Sequence, residues 1–185
     1  EDFAKVRRSG LIALNLAAGD ELRWIAPTTG KDEIIITTSA GQAIHFKEAD
    51  VRGMGRTAAG VRGVNLKKDD AVVGMDVVLK NQKGNQLLVL TENGFGKRSD
   101  MKSYKIQRRG GSGIKTAKTT PKTGKLVCAH VINLDNLEAD LIASSAKGQI
   151  IRVPLNTISV LGRATQGVRV MRLNGDDKIA ATAVL

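Results

Sequence analysis

Residues 55–63 read GRTAAGVRG and residues 162–170 read GRATQGVRV, nearly the same phrase written twice in one chain. The glycine before each Val-Arg pair has counterparts elsewhere, at steps of about 50 to 54 residues: Gly10, Gly60, Gly113 and Gly167. A second glycine, in a turn-like stretch, keeps the same step at Gly41, Gly94 and Gly148. A period near 50 residues is typical of repeat architectures, so it decides the fold before any local element is considered.

Each repeat has the pattern of β-strands. Short apolar runs end at a turn and resume directly afterwards, which predicts hairpins; the runs are EIIITT (33–38) with QAIHF (42–46), QLLVLT (86–91), and DLIASS (140–145) with QIIRV (149–153). The glycine-led segment alternates apolar and polar residues, as a half-buried strand does. Another apolar run follows, such as AVVGMDVV at 71–78. The sequence therefore predicts an all-β, propeller-like array of four-stranded blades without long helices.

The repeat boundaries divide one predicted domain, residues 1–185. Complete blades are expected at 29–82, 83–135 and 136–185, and residues 1–28 are expected to be the end of an incomplete blade. The chain opens on Glu-Asp-Phe rather than Met, which favours a fragment of a longer protein.

The composition of the chain limits the kinds of partner and the kinds of chemistry that we expect. The chain has 29 Lys and Arg against 18 Asp and Glu, a net charge of +11, which favours a polyanionic partner. The single cysteine, Cys128, excludes an internal disulfide and fits a reducing cytoplasm, and no apolar stretch is long enough to span a bilayer. His45 and His130 lie in strand patterns without ligand neighbours, so we expect neither a metal site nor a catalytic residue.

The basic residues recur at equivalent places in the repeats, so we expect them to form a stripe along one rim. Between Lys97 and Lys125 there are ten Lys or Arg, both ends included, and one acid, Asp100. This bias favours phosphate contacts over an ordinary solvated face. The predicted cations are Arg52, Arg56, Arg62, Lys97, Arg98, Lys102, Lys105, Arg108, Arg109, Lys115, Lys147, Arg152, Arg163 and Arg169.

The sequence offers little support for sequence-specific recognition of DNA bases. Aromatic residues make up 3% of the chain, too few for stacking platforms, and no recognition helix is evident. Curved duplex DNA, followed by its phosphates with little sequence preference, fits best. A propeller-type module that binds another protein is an alternative.

The stretch QRRGGSG at 107–113 indicates which protein family these features resemble. The chain resembles the C-terminal domain of the DNA gyrase A protein, which carries a Gln-Arg-Arg-Gly-Gly-basic-Gly box. Gln107, Arg108, Arg109, Gly110, Gly111 and Gly113 match the box, and Ser112 replaces its basic residue. Similar family phrases occur at 32–63, 91–99 and 151–169, so the resemblance covers essentially the whole chain.

The resemblance implies a β-pinwheel whose basic rim wraps duplex DNA, within an enzyme that introduces negative supercoils. The implied partners are duplex DNA, the rest of the gyrase A protein and the gyrase B protein, in the bacterial cytoplasm at the nucleoid. No cofactor is implied for this fragment, while ATP and magnesium would be used on other domains. Tyr104 is not the cleavage tyrosine, which lies in the N-terminal part of the family's enzyme.

Two features depart from the family pattern. Family domains have about six blades rather than three and a half, and their principal box lies in the first blade, whereas QRRGGSG is followed by one full repeat. The stretch is then the box-like segment of the penultimate blade. The related C-terminal domain of topoisomerase IV, which has degenerate boxes, is a second alternative.

Overall fold

The alternating apolar runs form the strands of an all-β array. The computed structural model describes residues 6–79, 82, 84–133, 135 and 138–185. Its strands are β1 (Glu33–Thr38), β2 (Gln42–Lys47), β3 (Val72–Val78), β4 (Gln86–Thr91), β5 (Phe95–Asp100), β6 (Ile114–Lys115), β7 (Leu126–Ile132), β8 (Asp140–Ser145), β9 (Ile150–Pro154), β10 (Val168–Arg169) and β11 (Ile179–Val184). Short 3-10 turns are the only helical elements in the described ranges, which confirms the predicted all-β class.

The strands form three antiparallel sheets. The first blade has the order β3-β1-β2-β6, the second β10-β5-β4-β7, and the third β11-β8-β9. Each blade is built on one hairpin, β1–β2, β4–β5 or β8–β9, of which the first and third were predicted, and each hairpin is flanked by the next long strand of the same repeat.

The outer strand of a blade differs from the expectation. Ile114–Lys115 comes from the second repeat but pairs with β2 of the first blade, and Val168–Arg169 comes from the third repeat but pairs with β5. The second and third repeats thus each donate a two-residue strand to the blade before them. The third sheet has three strands, and the glycine-led segments at 10–16 and 60–66 form no strand, because the described residues hold no partner hairpin for them.

The blades stack face to face around two apolar clusters. Leu87 and Val89 on one face of β4 pack with residues of the first blade such as Ile35. Leu88 and Leu90 on the other face pack toward the third blade. All six residues of β4 are therefore buried. This explains why its sequence, QLLVLT, is almost continuously apolar rather than alternating.

Candidate nucleic-acid interface

The donated strands begin at glycines for a steric reason. Gly113 and Gly167 have φ angles of 71° and 83°, in the left-handed region that favours glycine. A Cβ atom at Gly113 would lie 2.5 Å from the carbonyl oxygen of Ala43, and one at Gly167 would lie 2.6 Å from that of Gly96. The glycines therefore let each repeat approach the outer edge of the preceding hairpin closely.

The segments around these glycines contact one another in sequence. We call residues 55–65, 108–118 and 162–169 the connector row. The Asn65 N–H donates to the carbonyl of Gly111 over 2.9 Å, and the Lys118 N–H donates to that of Thr165 over 3.0 Å. Backbone hydrogen bonds thus link the three segments from one repeat to the next, as a rim along the array requires.

The box QRRGGSG is one member of this row. The Gln107 N–H donates to the carbonyl of His45 in β2 over 2.7 Å, and the Gly110 N–H donates to that of Gly63, also over 2.7 Å. The Arg109 guanidinium donates to the carbonyls of Arg62 and Asp50. Arg108 is exposed, and its side chain makes no hydrogen bond within the described ranges. The box therefore joins two blades and presents one unengaged arginine.

All the charged side chains of the connector row are positive. Its three segments contain eight Lys or Arg and no Asp or Glu. Arg62, Arg108, Lys115, Lys118 and Arg169 are exposed, whereas Arg56, Arg109 and Arg163 are partly buried. Lys118 was absent from the predicted set of contacts, although its place in the acid-free stretch was a signal for it. An acid-free row of this kind is the electrostatic footprint expected of a phosphate-binding surface.

The predicted site residues fall into three classes of exposure. The exposed ones are Arg52, Arg62, Lys102, Lys105, Arg108, Gly111, Lys115, Lys147, Arg152 and Arg169; the partly buried ones are Arg56, Gln107, Arg109, Gly110, Gly113 and Arg163; the buried ones are Lys97 and Arg98. Seven of the predicted cations lie in the connector row: Arg56, Arg62, Arg108, Arg109, Lys115, Arg163 and Arg169. Arg52 and Lys105 lie in the loops that lead into it, and Lys102 lies in the 3-10 turn Met101–Ser103.

Lys97 and Arg98 do not lie on an exposed rim, contrary to the sequence-based expectation. Lys97 is 1% exposed, and its ammonium donates to the carbonyls of Gly162 and Arg163 over 2.5 Å each. Burial, with a smaller effect from the charge of Arg163, lowers the pKa of Lys97 to about 8. Arg98 is 5% exposed and donates through Nε to the carbonyl of Ile158 over 2.8 Å. Both cations hold β5 to the following repeat.

Several other predicted cations already have partners. On the third blade, Lys147 forms an ion pair with Asp176, and Arg152 forms one with Asp140 through Nε at 2.6 Å. Arg169 lies over the ring of Phe95, 4.5 Å from its centroid. Exposed ion pairs of this kind contribute little to stability, so they leave these side chains able to exchange partners.

The two histidines and the cysteine contact groups of the fold itself. His45 Nδ1 lies 2.8 Å from the carbonyl oxygen of Tyr104, and His130 Nε2 lies 3.1 Å from the hydroxyl of Thr182. Burial raises the pKa of the Cys128 thiol to about 11. Among the described residues, no three His, Cys, Asp or Glu side chains are grouped to hold a metal ion. In the same part of the chain, no helix is long and apolar enough to cross a membrane.

Comparison with known sequences identifies a matching family. The family model described as "DNA gyrase C-terminal domain, beta-propeller" matches residues 1–29, 32–79, 85–133 and 139–185. The DNA gyrase A protein of Staphylococcus epidermidis is 42% identical over 181 residues, which cover 98% of this chain and 20% of that relative. Its counterpart from Staphylococcus aureus matches with the same identity and coverage. The chain thus spans about a fifth of the length of the curated relatives it matches.

Solved structures share the architecture. The C-terminal domain of DNA topoisomerase IV superposes with a TM-score of 0.90 at 22% identity, covering 100% of this chain and 56% of that one. The DNA gyrase A C-terminal domain superposes with a TM-score of 0.78 at 25% identity, covering 96% of this chain and 58% of that one. At 22% identity the first match shows the shared fold alone. The topoisomerase IV alternative is therefore not favoured over the family that the sequence comparisons give.

Proposed function

We propose that this chain, which belongs to the DNA gyrase C-terminal domain family, binds and wraps duplex DNA along the connector row. The observation that carries the proposal is the row itself, which has eight cations and no acid in segments joined by backbone hydrogen bonds. Contacts from such a row go to phosphates, which position a duplex without reading its sequence. The wrapped duplex would follow the row from repeat to repeat.

The setting of this activity is part of the same proposal. The chain would serve a type IIA topoisomerase that supercoils DNA, together with the rest of the gyrase A protein and with the gyrase B protein. ATP and magnesium would act on other domains of that enzyme, in the bacterial cytoplasm at the nucleoid. Arg52, Lys102 and Lys105 would extend the contact surface beside the row, because all three are exposed.

The salt dependence of duplex binding tests the proposal. If the five exposed cations of the row, together with Arg52, Lys102 and Lys105 beside it, neutralise about eight phosphates, the log–log slope of affinity against salt is about −7, because each contact releases about 0.9 counterion. A slope nearer −2 would contradict binding along the whole row. A matched pair of charge reversals locates the surface. Arg108→Glu should weaken binding strongly, and Arg23→Glu should not, although both change the net charge equally.

Arg23 is a suitable control because of its place in the fold. It lines a cavity of about 700 Å³ with Val72 and Val73 of β3, at the edge of the first sheet opposite β6. Its side chain is exposed and pairs locally with Glu21 at 3.0 Å. Equal losses from both reversals would refute a localised row and leave only a general effect of net charge.

A topological assay tests wrapping separately from binding. A nicked plasmid sealed by ligase with the chain bound should shift in linking number if the duplex follows a curved path on the row. The Arg108→Glu variant, at a concentration that gives equal occupancy, controls for binding alone. Tight binding without a shift would contradict wrapping.

A further inference from the structure

One arginine recurs in every connector and has the same kind of partner each time. It stands four residues before the connector glycine, at Arg56, Arg109 and Arg163. In each case Nη1 donates to the carbonyl two residues after the glycine of the preceding repeat. The bonds are Arg56 to Ile12 at 3.3 Å, Arg109 to Arg62, and Arg163 to Lys115 at 2.8 Å.

A backbone hydrogen bond recurs beside each of these arginines. The N–H five residues after a connector glycine donates to the carbonyl two residues before the next one. The three bonds are Asn15 to Ala58 at 3.3 Å, Asn65 to Gly111 at 2.9 Å, and Lys118 to Thr165 at 3.0 Å. Every pair of successive connectors therefore shares this guanidinium bond and this backbone bond, at equivalent positions in four successive glycine-led segments.

We propose that Arg56, Arg109 and Arg163 are positioning residues that clamp each connector to the one before it. The clamp would fix the angle between successive blades at the rim. In the box, the two adjacent arginines would then have different tasks. Arg109 holds the connector, and Arg108, exposed and unengaged in the described structure, is the one that faces phosphate.

The chemistry of the guanidinium explains why arginine stands at these positions. Arg109 reaches the Asp50 carbonyl through Nε at 3.2 Å and the Arg62 carbonyl through Nη1, so two donors of one planar fork are used. A lysine carries its donors on a single nitrogen at the end of a flexible chain, so it would not reproduce the spaced Nε and Nη1 contacts of this planar fork. Lysine would, however, preserve the charge that a phosphate contact needs.

Arg109→Lys therefore separates a clamp from a simple phosphate ligand. The first measurement uses no DNA: amide hydrogen exchange at Gly110 and Asn65, whose N–H groups bond across the two connectors. Arg109→Ala and Arg109→Lys should each speed exchange at both amides by about tenfold, the order expected from losing one net hydrogen bond to a charged group. Arg108→Ala is the matched control and should leave both amides protected. Protection retained in Arg109→Lys would overturn the clamp.

The same clamp between the next two connectors provides an independent reading if the Arg109 variants do not fold. Arg163→Ala should speed exchange at the Lys118 amide, which donates to Thr165, while leaving Gly110 protected. A uniform change across the chain would instead indicate general destabilisation and would count against a local clamp.

The consequence for DNA rests on the proposed function, and a double-mutant cycle tests it. If Arg109 acts by placing Arg108, the loss of duplex affinity in the double alanine variant will be smaller than the product of the two single losses. Independent losses would show that Arg109 does not act through Arg108. Since the exchange measurement needs no DNA, a chain that failed to bind duplex would refute the proposed function while the clamp was still tested.

Discussion

Replacing Lys97 by Met should change how the stability of the chain depends on pH. In the repeat alignment, Ile44 and Ile151 occupy this position in the other two hairpins. Lys97 instead places a buried ammonium against the carbonyls of Gly162 and Arg163. Its pKa falls from 10.5 to about 8, chiefly because of burial. The folded state therefore holds the proton less tightly than the unfolded state does.

The sign and size of the effect follow from this difference. Between pH 8 and 10.5 the unfolded chain binds more protons at Lys97, so the free energy of unfolding rises with pH. The fall of the Lys97 pKa from 10.5 to about 8 corresponds to about 3 kcal/mol over the full range. Most of this difference lies between pH 7 and pH 10.

Urea unfolding followed by circular dichroism, repeated from pH 7 to pH 10, measures the effect. The quantity to compare is the free energy of unfolding of the unsubstituted chain minus that of Lys97→Met. The subtraction removes groups common to both proteins, including Cys128, whose raised thiol pKa acts in the opposite direction. The difference should grow by about 2 to 3 kcal/mol across this range. Parallel curves would refute a buried, charged Lys97.

Two further predictions concern a glycine and the cysteine. Gly113→Ala should cost at least about 2 kcal/mol more than Gly60→Ala in urea unfolding, because both have left-handed φ but only a Cβ at Gly113 meets a backbone atom. Equal losses would contradict the close approach to Ala43. The buried Cys128 thiol should be alkylated by iodoacetamide at pH 8 only as fast as the chain opens. Labelling at the rate of an unstructured thiol would contradict this.

Most of the fold could be predicted from the repeat period. Short apolar runs ending at turn glycines are local signals, and each predicted hairpin was confirmed in the described structure. The outer strands were harder to predict because pairing is not local. Ile114–Lys115 has the composition of any short strand, and nothing within the second repeat indicates that it pairs with β2 of the first.

Two residues predicted to lie on the basic rim are buried instead, for a similar reason. Charge in a sequence does not say which way a side chain points, and Lys97 and Arg98 both point into the structure. The alignment held a signal for Lys97, since the equivalent positions are Ile44 and Ile151. The position equivalent to Arg98 is occupied by His45, whose Nδ1 lies beside the equivalent carbonyl, that of Tyr104. His45 and Arg98 therefore share a structural task that the third equivalent residue, the exposed Arg152, does not.

The donated strands also argue that the repeats do not fold one by one. The first blade gains its outer strand only when the second repeat supplies Ile114–Lys115, and the second blade gains its own only from Val168–Arg169. The free energy of each blade therefore includes contacts made by its successor, as in other arrays with strong neighbour interfaces. The connectors that make these contacts also carry the basic residues proposed to hold DNA. A bent duplex pulling on the connector row would act directly on the hydrogen bonds between blades, so DNA curvature and blade angle would be coupled without a separate hinge.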